Sequence, residues 1–185
     1  MIENPFLFCP QCGSPGGEFL RHHEFRCSVC GHRYFHNVAA AAGVLVRDAQ
    51  RRFLFLRRGM EPARGLLGLP GGFVDPGEGV TEAVEREVRE ELGAEISSPV
   101  FLDGYPNRYA FSKIWYHTLD LYFTADILTP QAQWTLDAQE VAGLVWMLPE
   151  EVDETELAFP SLRQMWRDWK AGRWEDKQVT RNFSR

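Results

Sequence analysis

Two constellations in this chain combine residue types and spacings suited to chemistry. The first is Cys9, Cys12, Cys27 and Cys30, which read C-x2-C-x14-C-x2-C and are the only cysteines in the sequence. Thiolate pairs separated by a short loop suit a tetrahedral Zn²⁺ closed by four sulfurs. Gly13 and Gly31, one after each pair, let the turns tighten so that backbone N–H groups face the sulfurs. Two disulfides are the alternative. The opening "MIENPFLF" lacks the charged start and apolar run of a secretory leader, so a reducing, cytoplasmic setting is expected and zinc is the preferred reading. His22, His23, His32 and His36 lie nearby, but four thiolates already complete the shell. With no open coordination position, the zinc is expected to be structural, one ion per chain, stabilising a segment too small to build its own core.

The second constellation is acidic. "GGFVDPGEGVTEAVEREVREELGA", residues 71–94, turns at a Pro-Gly and runs into a segment holding Glu82, Glu85, Glu87, Glu90 and Glu91. At about 100° per residue, Val80, Val84, Val88 and Leu92 form an apolar stripe flanked by Ala83, while Glu82, Glu85 and Arg89 fall on the solvent side. Glu87 and Glu91 project at the edge of the packing face, with Glu90 one step around. Carboxylates at i, i+3 and i+4 share one patch, and their repulsion raises their pKa values unless a cation sits among them. All-oxygen ligands suit Mg²⁺ or Mn²⁺. A solvated charged face is the plainer alternative.

The elements that must position these residues read as a mixed α and β layered domain. "VAAAAGVLVRD" reads as a buried strand and "RFLFLRR" as one apolar on both faces, the two linked as a hairpin. "GMEPARGLLGLPGG" reads as a loop, and Gly93 stands where a left-handed cap ends the acidic helix. Residues 97–127 suggest two or three strands divided at a "GYPN" turn, "VAGLVWM" another, and "LPEEV" the start of a helix. Ser161 and Gln164 have capping-box spacing ahead of a core-facing Leu162, Met165, Trp166 and Trp169 stripe, which Gly172 ends. The tail after it is polar.

From Gly72 to Ala94 the acidic segment fits G-x5-E-x7-R-E-U-x-E-E-x-G-U, where U is apolar, with only the small Ala94 weak in its place. It thus resembles the Nudix box, the signature of the Nudix hydrolases. The resemblance implies an α/β/α sandwich with a mixed sheet (class α+β) over residues 37–160, behind a zinc ribbon at 1–36 and ahead of a C-terminal helix and tail at 161–185. It implies that Glu87, Glu90 and Glu91, with the Gly71 carbonyl, hold Mg²⁺ or Mn²⁺. Arg86 would orient Glu87, and Glu78 would brace the joint or serve as a water-mediated ligand. A further acid beyond the box completes such sites or acts as general base; Glu140 is the candidate here and Asp137 its competitor. The implied activity is metal-dependent hydrolysis of a nucleoside diphosphate linked to another moiety, giving a nucleoside monophosphate and a phosphorylated product.

A cysteine ribbon ahead of such a domain is similar to the NADH pyrophosphatase branch, which carries Ser-Gln-Pro-Trp-Pro-Phe-Pro after the box; this chain has "DGYPNRYAFS" there. Tyr105, Arg108, Tyr109 and Phe111 are candidates to hold a base and phosphate, with strand packing as their alternative. Arg57 and Arg58 are placed to meet phosphates or solvent. The expected substrate is an adenosine-containing diphosphate such as ADP-ribose or a nicotinamide dinucleotide. A net charge of −6 and a ribbon balancing Arg21, Arg26 and Arg33 against Glu3, Glu18 and Glu24 argue against nucleic acid as partner. No apolar run reaches the roughly 20 residues that span a bilayer. The sequence leaves room for a homodimer. Two rival functions are a nucleotide-sensing regulator that does not cleave and a zinc-ribbon nucleic-acid module.

Overall fold

The computed structural model describes residues 6–21, 23–111 and 114–174, without the side chains of Phe111 and Ile114. Glu3, His22 and the tail from Glu175 onward lie outside them. The chain forms two compact units, Met1–Val38 and Ala39–Arg185.

In the first unit, strands β1 (Glu18–Leu20), β2 (Glu24–Arg26) and β3 (Arg33–Phe35) form an antiparallel sheet. The apolar centre is small: Phe25 and the buried Cys9 and Cys27, with Phe6 and Phe19 against them. Gly13 and Gly31 both adopt positive φ (71° and 73°) in the turns after the cysteine pairs.

The second unit holds two sheets. β4 (Ala39–Val46), β7 (Gly71–Phe73), β8 (Val100–Phe111) and β9 (Ile114–Ala125) form one, ordered β7-β4-β9-β8, with β4 parallel to β9 and the other pairs antiparallel. β5 (Phe53–Arg58), β6 (Leu67–Gly68) and β10 (Val141–Met147) form the other, ordered β10-β5-β6. Helices α1 (Val80–Leu92) and α2 (Pro160–Lys170) cover opposite faces, and strand alternation divides the core between them. Leu54 and Leu56 join Val84, Val88 and Leu92 of α1, whereas Phe53 and Phe55 join Leu162, Met165 and Trp166 of α2. A strand buried on both sides must be apolar at every position, which is why β5 shows no polar alternation.

Several local expectations change. β4 and β5 do not make a hairpin ladder. They touch at a single Arg47–Phe53 bridge and then enter different sheets. "GYPN" is not a turn: Gly104–Asn107 continue β8, with Pro106 opposite Leu119. β8 is an edge strand, where a residue lacking N–H is tolerated. The loop before the acidic helix contains the short β6 and β7. "LPEEV" yields one 3-10 turn, Pro149–Glu151, rather than a helix. α2 starts on Phe159 with Pro160 in its first turn and no side-chain cap, because the Ser161 hydroxyl turns inward to Asp120.

Candidate active site

α1 ends on Gly93 at φ 61°, as a left-handed cap requires, and its buried positions include Glu87 and Glu91 among the apolar ones. Both acids face β7. The Gly71 N–H donates to Glu91 Oε2 at 2.9 Å. A Cβ on Gly72 would stand 2.4 Å from Glu87 Oε1, so that glycine is the space the carboxylate occupies. Gly71 itself has φ 143°, and a Cβ there would meet the Ala42 carbonyl oxygen of β4. The two glycines therefore serve close approach, one to a strand and one to an acid.

Arg86 organises the acids. Its guanidinium donates to both oxygens of Glu78 (2.8 and 3.0 Å), to Glu87 Oε1 (2.8 Å), to Glu90 Oε2 (2.9 Å) and to the Phe73 carbonyl (3.0 Å). Glu78 also accepts the Asp75 N–H at 3.0 Å, which ties the loop to the helix. The charge-assisted contact with Arg86 holds the Glu78 carboxyl below its ordinary range. Burial acts the other way on the inner pair. Desolvation raises Glu87 against the pull of Arg86, and raises Glu91 to about 8, with Glu87 and Glu140 adding repulsion.

These residues lie on one side of a cavity of about 700 Å³. Glu87, Glu90, Glu91, Asp137 and Glu140 all line it, so residues far apart in sequence meet around one space. Glu140 is placed by its backbone, whose carbonyl accepts the Gly59 N–H at 2.7 Å at the end of β5. The donor set fits a hard divalent cation: all-oxygen ligands, two of them buried carboxylates pushed toward protonation by burial. Among the described residues the glutamate oxygens do not converge as a ready cage; Glu87 and Glu90 are engaged by Arg86, and Glu91 by the Gly71 N–H.

The candidate substrate residues divide. Tyr109 lines the cavity; Arg57, Tyr105 and Arg108 are not part of its lining. Arg57 donates to the Gly65 carbonyl at 2.6 Å and so fixes the following loop. Tyr105 is buried and donates to Asp168 of α2 at 2.6 Å, and Arg108 lies 4.0 Å over the Trp115 ring. Arg58 reaches the cavity instead. It donates to the Pro62 carbonyl at 2.8 Å and sits 5.0 Å over the Phe159 ring, and burial lowers its pKa. Parity on β5 signals this: Leu54, Leu56 and Arg58 share the face toward α1, and Arg57 has the opposite one. Tyr116, Phe159, Asn107, Thr118 and Asp120 also line the cavity without having been singled out.

In the ribbon the four cysteine sulfurs lie within 4.8 Å of one another, and the cysteines are free of disulfides. Cys9–Cys30 and Cys12–Cys27 sulfurs are each 3.8 Å apart. A tetrahedron with sulfurs about 2.3 Å from its centre has edges of about 3.8 Å, so the cluster is compatible with zinc. N–H groups of Gln11, Val29 and Cys30 point at Cys9 or Cys27 sulfur at 3.4 Å. The Cys30 N–H and Ser14 hydroxyl lower the Cys27 thiol to about 5.

The NUDIX domain family model matches residues 37–168. The chain belongs to the Nudix family. Among curated Nudix relatives it is 36% identical over 121 residues to the NAD-capped RNA hydrolase NudC of Chromobacterium violaceum, covering 64% of this chain and 42% of that protein. It is 32% identical over 109 residues to the ADP-ribose pyrophosphatase of Methanocaldococcus jannaschii, covering 58% of this chain and 61% of that one. The chain thus spans less than two thirds of the length of these relatives. A Nudix hydrolase from Nitrosomonas europaea has the same fold, with TM-score 0.64, 20% identity and coverage of 90% of this chain and 94% of that one. So does the Nudix domain of Shewanella oneidensis NrtR complexed with ADP ribose, with TM-score 0.59, 22% identity and coverage of 75% and 90%. No helix among the described residues is long and apolar enough to cross a membrane.

Proposed function

We propose that this chain is a Mg²⁺- or Mn²⁺-dependent pyrophosphohydrolase acting on nucleoside diphosphates linked to another moiety, such as ADP-ribose or a nicotinamide dinucleotide. The observation that carries this reading is the pair of buried carboxylates, Glu87 and Glu91, on the wall of a cavity that also collects Glu90, Glu140 and Arg58. Glu87, Glu90 and Glu91, with the Gly71 carbonyl, would hold the divalent ion. Bound there, it supplies charge neutralisation for the diphosphate and acidifies a water. Arg58 faces the diphosphate, and its incomplete compensation by neighbouring acids suits it to an anionic ligand. Arg86 keeps Glu87 oriented, and Glu78 keeps Arg86 in place. Glu140, exposed and not committed to a side-chain partner, accepts the proton of the attacking water. The products are a nucleoside monophosphate and a phosphorylated second half. In the ribbon, one Zn²⁺ on Cys9, Cys12, Cys27 and Cys30 plays a structural part.

The relatives' names support a diphosphate substrate and bring capped RNA ends into the comparison, which the acidic net charge alone argued against. The test is a turnover panel with Mg²⁺: ADP-ribose, NAD⁺, NADH, NAD-capped RNA, nucleotide sugars and a nucleoside triphosphate, with products identified. A nucleoside monophosphate released from the linked diphosphates is the expected result. Preference for the triphosphate overturns the substrate class. Tight binding with no turnover of any member identifies a sensor.

A further inference from the structure

The cavity has a second polar end that the hydrolytic chemistry does not use. Its floor comes from the register of β8 and β9, which sets Asn107 opposite Thr118 and Tyr105 opposite Asp120. Asp120 is 8% exposed and Asn107 6%, yet both line the cavity. Their orientations are fixed by hydrogen bonds. Asp120 accepts from Asn107 Nδ2 at 2.8 Å and from the Thr118 and Ser161 hydroxyls at 2.5 Å each. Asn107 Oδ1 accepts the Arg108 N–H at 2.9 Å, so the amide nitrogen must face Asp120. Three donors leave one acceptor site on the carboxylate, and the Asn107 amide has a second N–H. The network therefore leaves one acceptor site, on Asp120 Oδ1, and one N–H, on Asn107 Nδ2, in two residues that line the cavity.

The adjoining wall is aromatic. Tyr109 stacks on Tyr116 at 5.8 Å and 15°, and Phe159 stands 5.6 Å from Tyr109. A planar ring laid on this wall meets the floor with its edge.

We propose that Asp120 and Asn107 read the base of the substrate, selecting a heteroaromatic group that offers an N–H donor beside an acceptor. Adenine presents that pair through its exocyclic amine and ring nitrogen; nicotinamide presents it through its carboxamide. Hypoxanthine reverses the pair, and nicotinic acid sets a carboxylate against Asp120. A site built around a buried donor and acceptor rejects the reversed edge strongly, because both its own groups are left unpaired. This inference rests on the pyrophosphohydrolase reading, since the linked diphosphate is what carries the base to this floor.

The experiment compares kcat/KM of the full chain with Mg²⁺ on two matched pairs: ADP-ribose against inosine diphosphate ribose, and NAD⁺ against its nicotinic acid counterpart. A preference of roughly tenfold or more, carried mainly by KM, is expected within at least one pair, and the pair that shows it identifies the group read. Values within twofold in both pairs overturn the subsite even if every compound is hydrolysed. If none is hydrolysed, the catalytic reading fails by itself, and calorimetric titration of the same four compounds still decides the subsite by the same ratio. Asp120→Asn should collapse the ratio toward one. A network that only braces α2 through Ser161 predicts instead that Asp120→Asn and Ser161→Ala lower Tm and leave the ratio as it was. Should Asp120→Asn not fold, the wild-type ratios stand as the test.

Discussion

Gly72→Ala isolates the position of one carboxylate from the chemistry of every other group. Gly72 needs no positive φ, so alanine meets no backbone strain there, and the three atoms nearest the added methyl all belong to the Glu87 carboxylate. Its Cβ would lie 2.4 Å from Oε1, 2.7 Å from Cδ and 2.8 Å from Oε2, whereas ordinary contact begins at 3.4 Å. Restoring that contact moves Oε1 by 3.4 − 2.4, about 1.0 Å, and the 2.8 Å bond from Arg86 is lost or rebuilt elsewhere. A misplacement of about 1 Å in a catalytic constellation costs on the order of 10² in rate, equivalent to about 2.7 kcal/mol. Stability changes less: overpacking costs about 1–3 kcal/mol and the Gly→Ala entropy term returns about 0.4–1. The assay is steady-state hydrolysis of ADP-ribose with Mg²⁺ alongside thermal melting. Gly143→Ala is the control: nothing beyond its chain neighbours lies within 4 Å of its Cβ, so the rate should hold and Tm should hold or rise slightly. A folded Gly72→Ala protein with wild-type kcat/KM would show that the Glu87 carboxylate does not set the rate.

Glu87→Gln keeps the size and removes the charge, so turnover should fall by on the order of 10² or more while stability holds or rises; Glu85→Gln, on the outer side of α1, should change little, and equal turnover in both variants refutes the assignment. Metal-free protein should lose stability as pH rises, because folded Glu91 keeps its proton to about 8 while the unfolded carboxyl ionises near 4.5. Between those values the folded state binds the extra proton. Mg²⁺ should therefore raise Tm more at pH 8 than at pH 5.5, and the opposite order in a melting series refutes this. Metal analysis should find one zinc per chain, and Cys27→Ser should unfold the ribbon with a smaller effect on hydrolysis; zinc-free protein with an intact ribbon would exclude the structural role.

The acidic helix was legible in the sequence because its signals are local. The Val84, Val88 and Leu92 stripe, the terminal Gly93 and the two acids off the solvent side all depend on helical period alone. The cysteine cluster was legible for the same reason. The substrate half was not. Which side chains face the cavity depends on the register of β8 against β9, and placing a turn at Gly104–Asn107 breaks β8 where it actually pairs. With side chains alternating, a shift of one residue exchanges the faces of a whole strand. Tyr105 was thus expected at the ligand while it packs on Tyr122 beneath α2, and Asp120 passed as an ordinary strand residue. Arg57 and Arg58 differ by the same parity.

Arg86 has a consequence for how the metal site behaves between turnovers. Its guanidinium already gives Glu78, Glu87 and Glu90 a positive partner, so a divalent ion loading here would in part exchange one cation for another. An ion held there would compete with Arg86 for Glu87 and Glu90, which lowers its net affinity and makes its loss less costly, while Glu91 has no arginine contact to displace. The second unit should consequently hold a divalent ion exchangeably. Among the described residues the four sulfurs of the ribbon have no arginine partner of this kind, so one chain would pair a permanent ion with an interchangeable one.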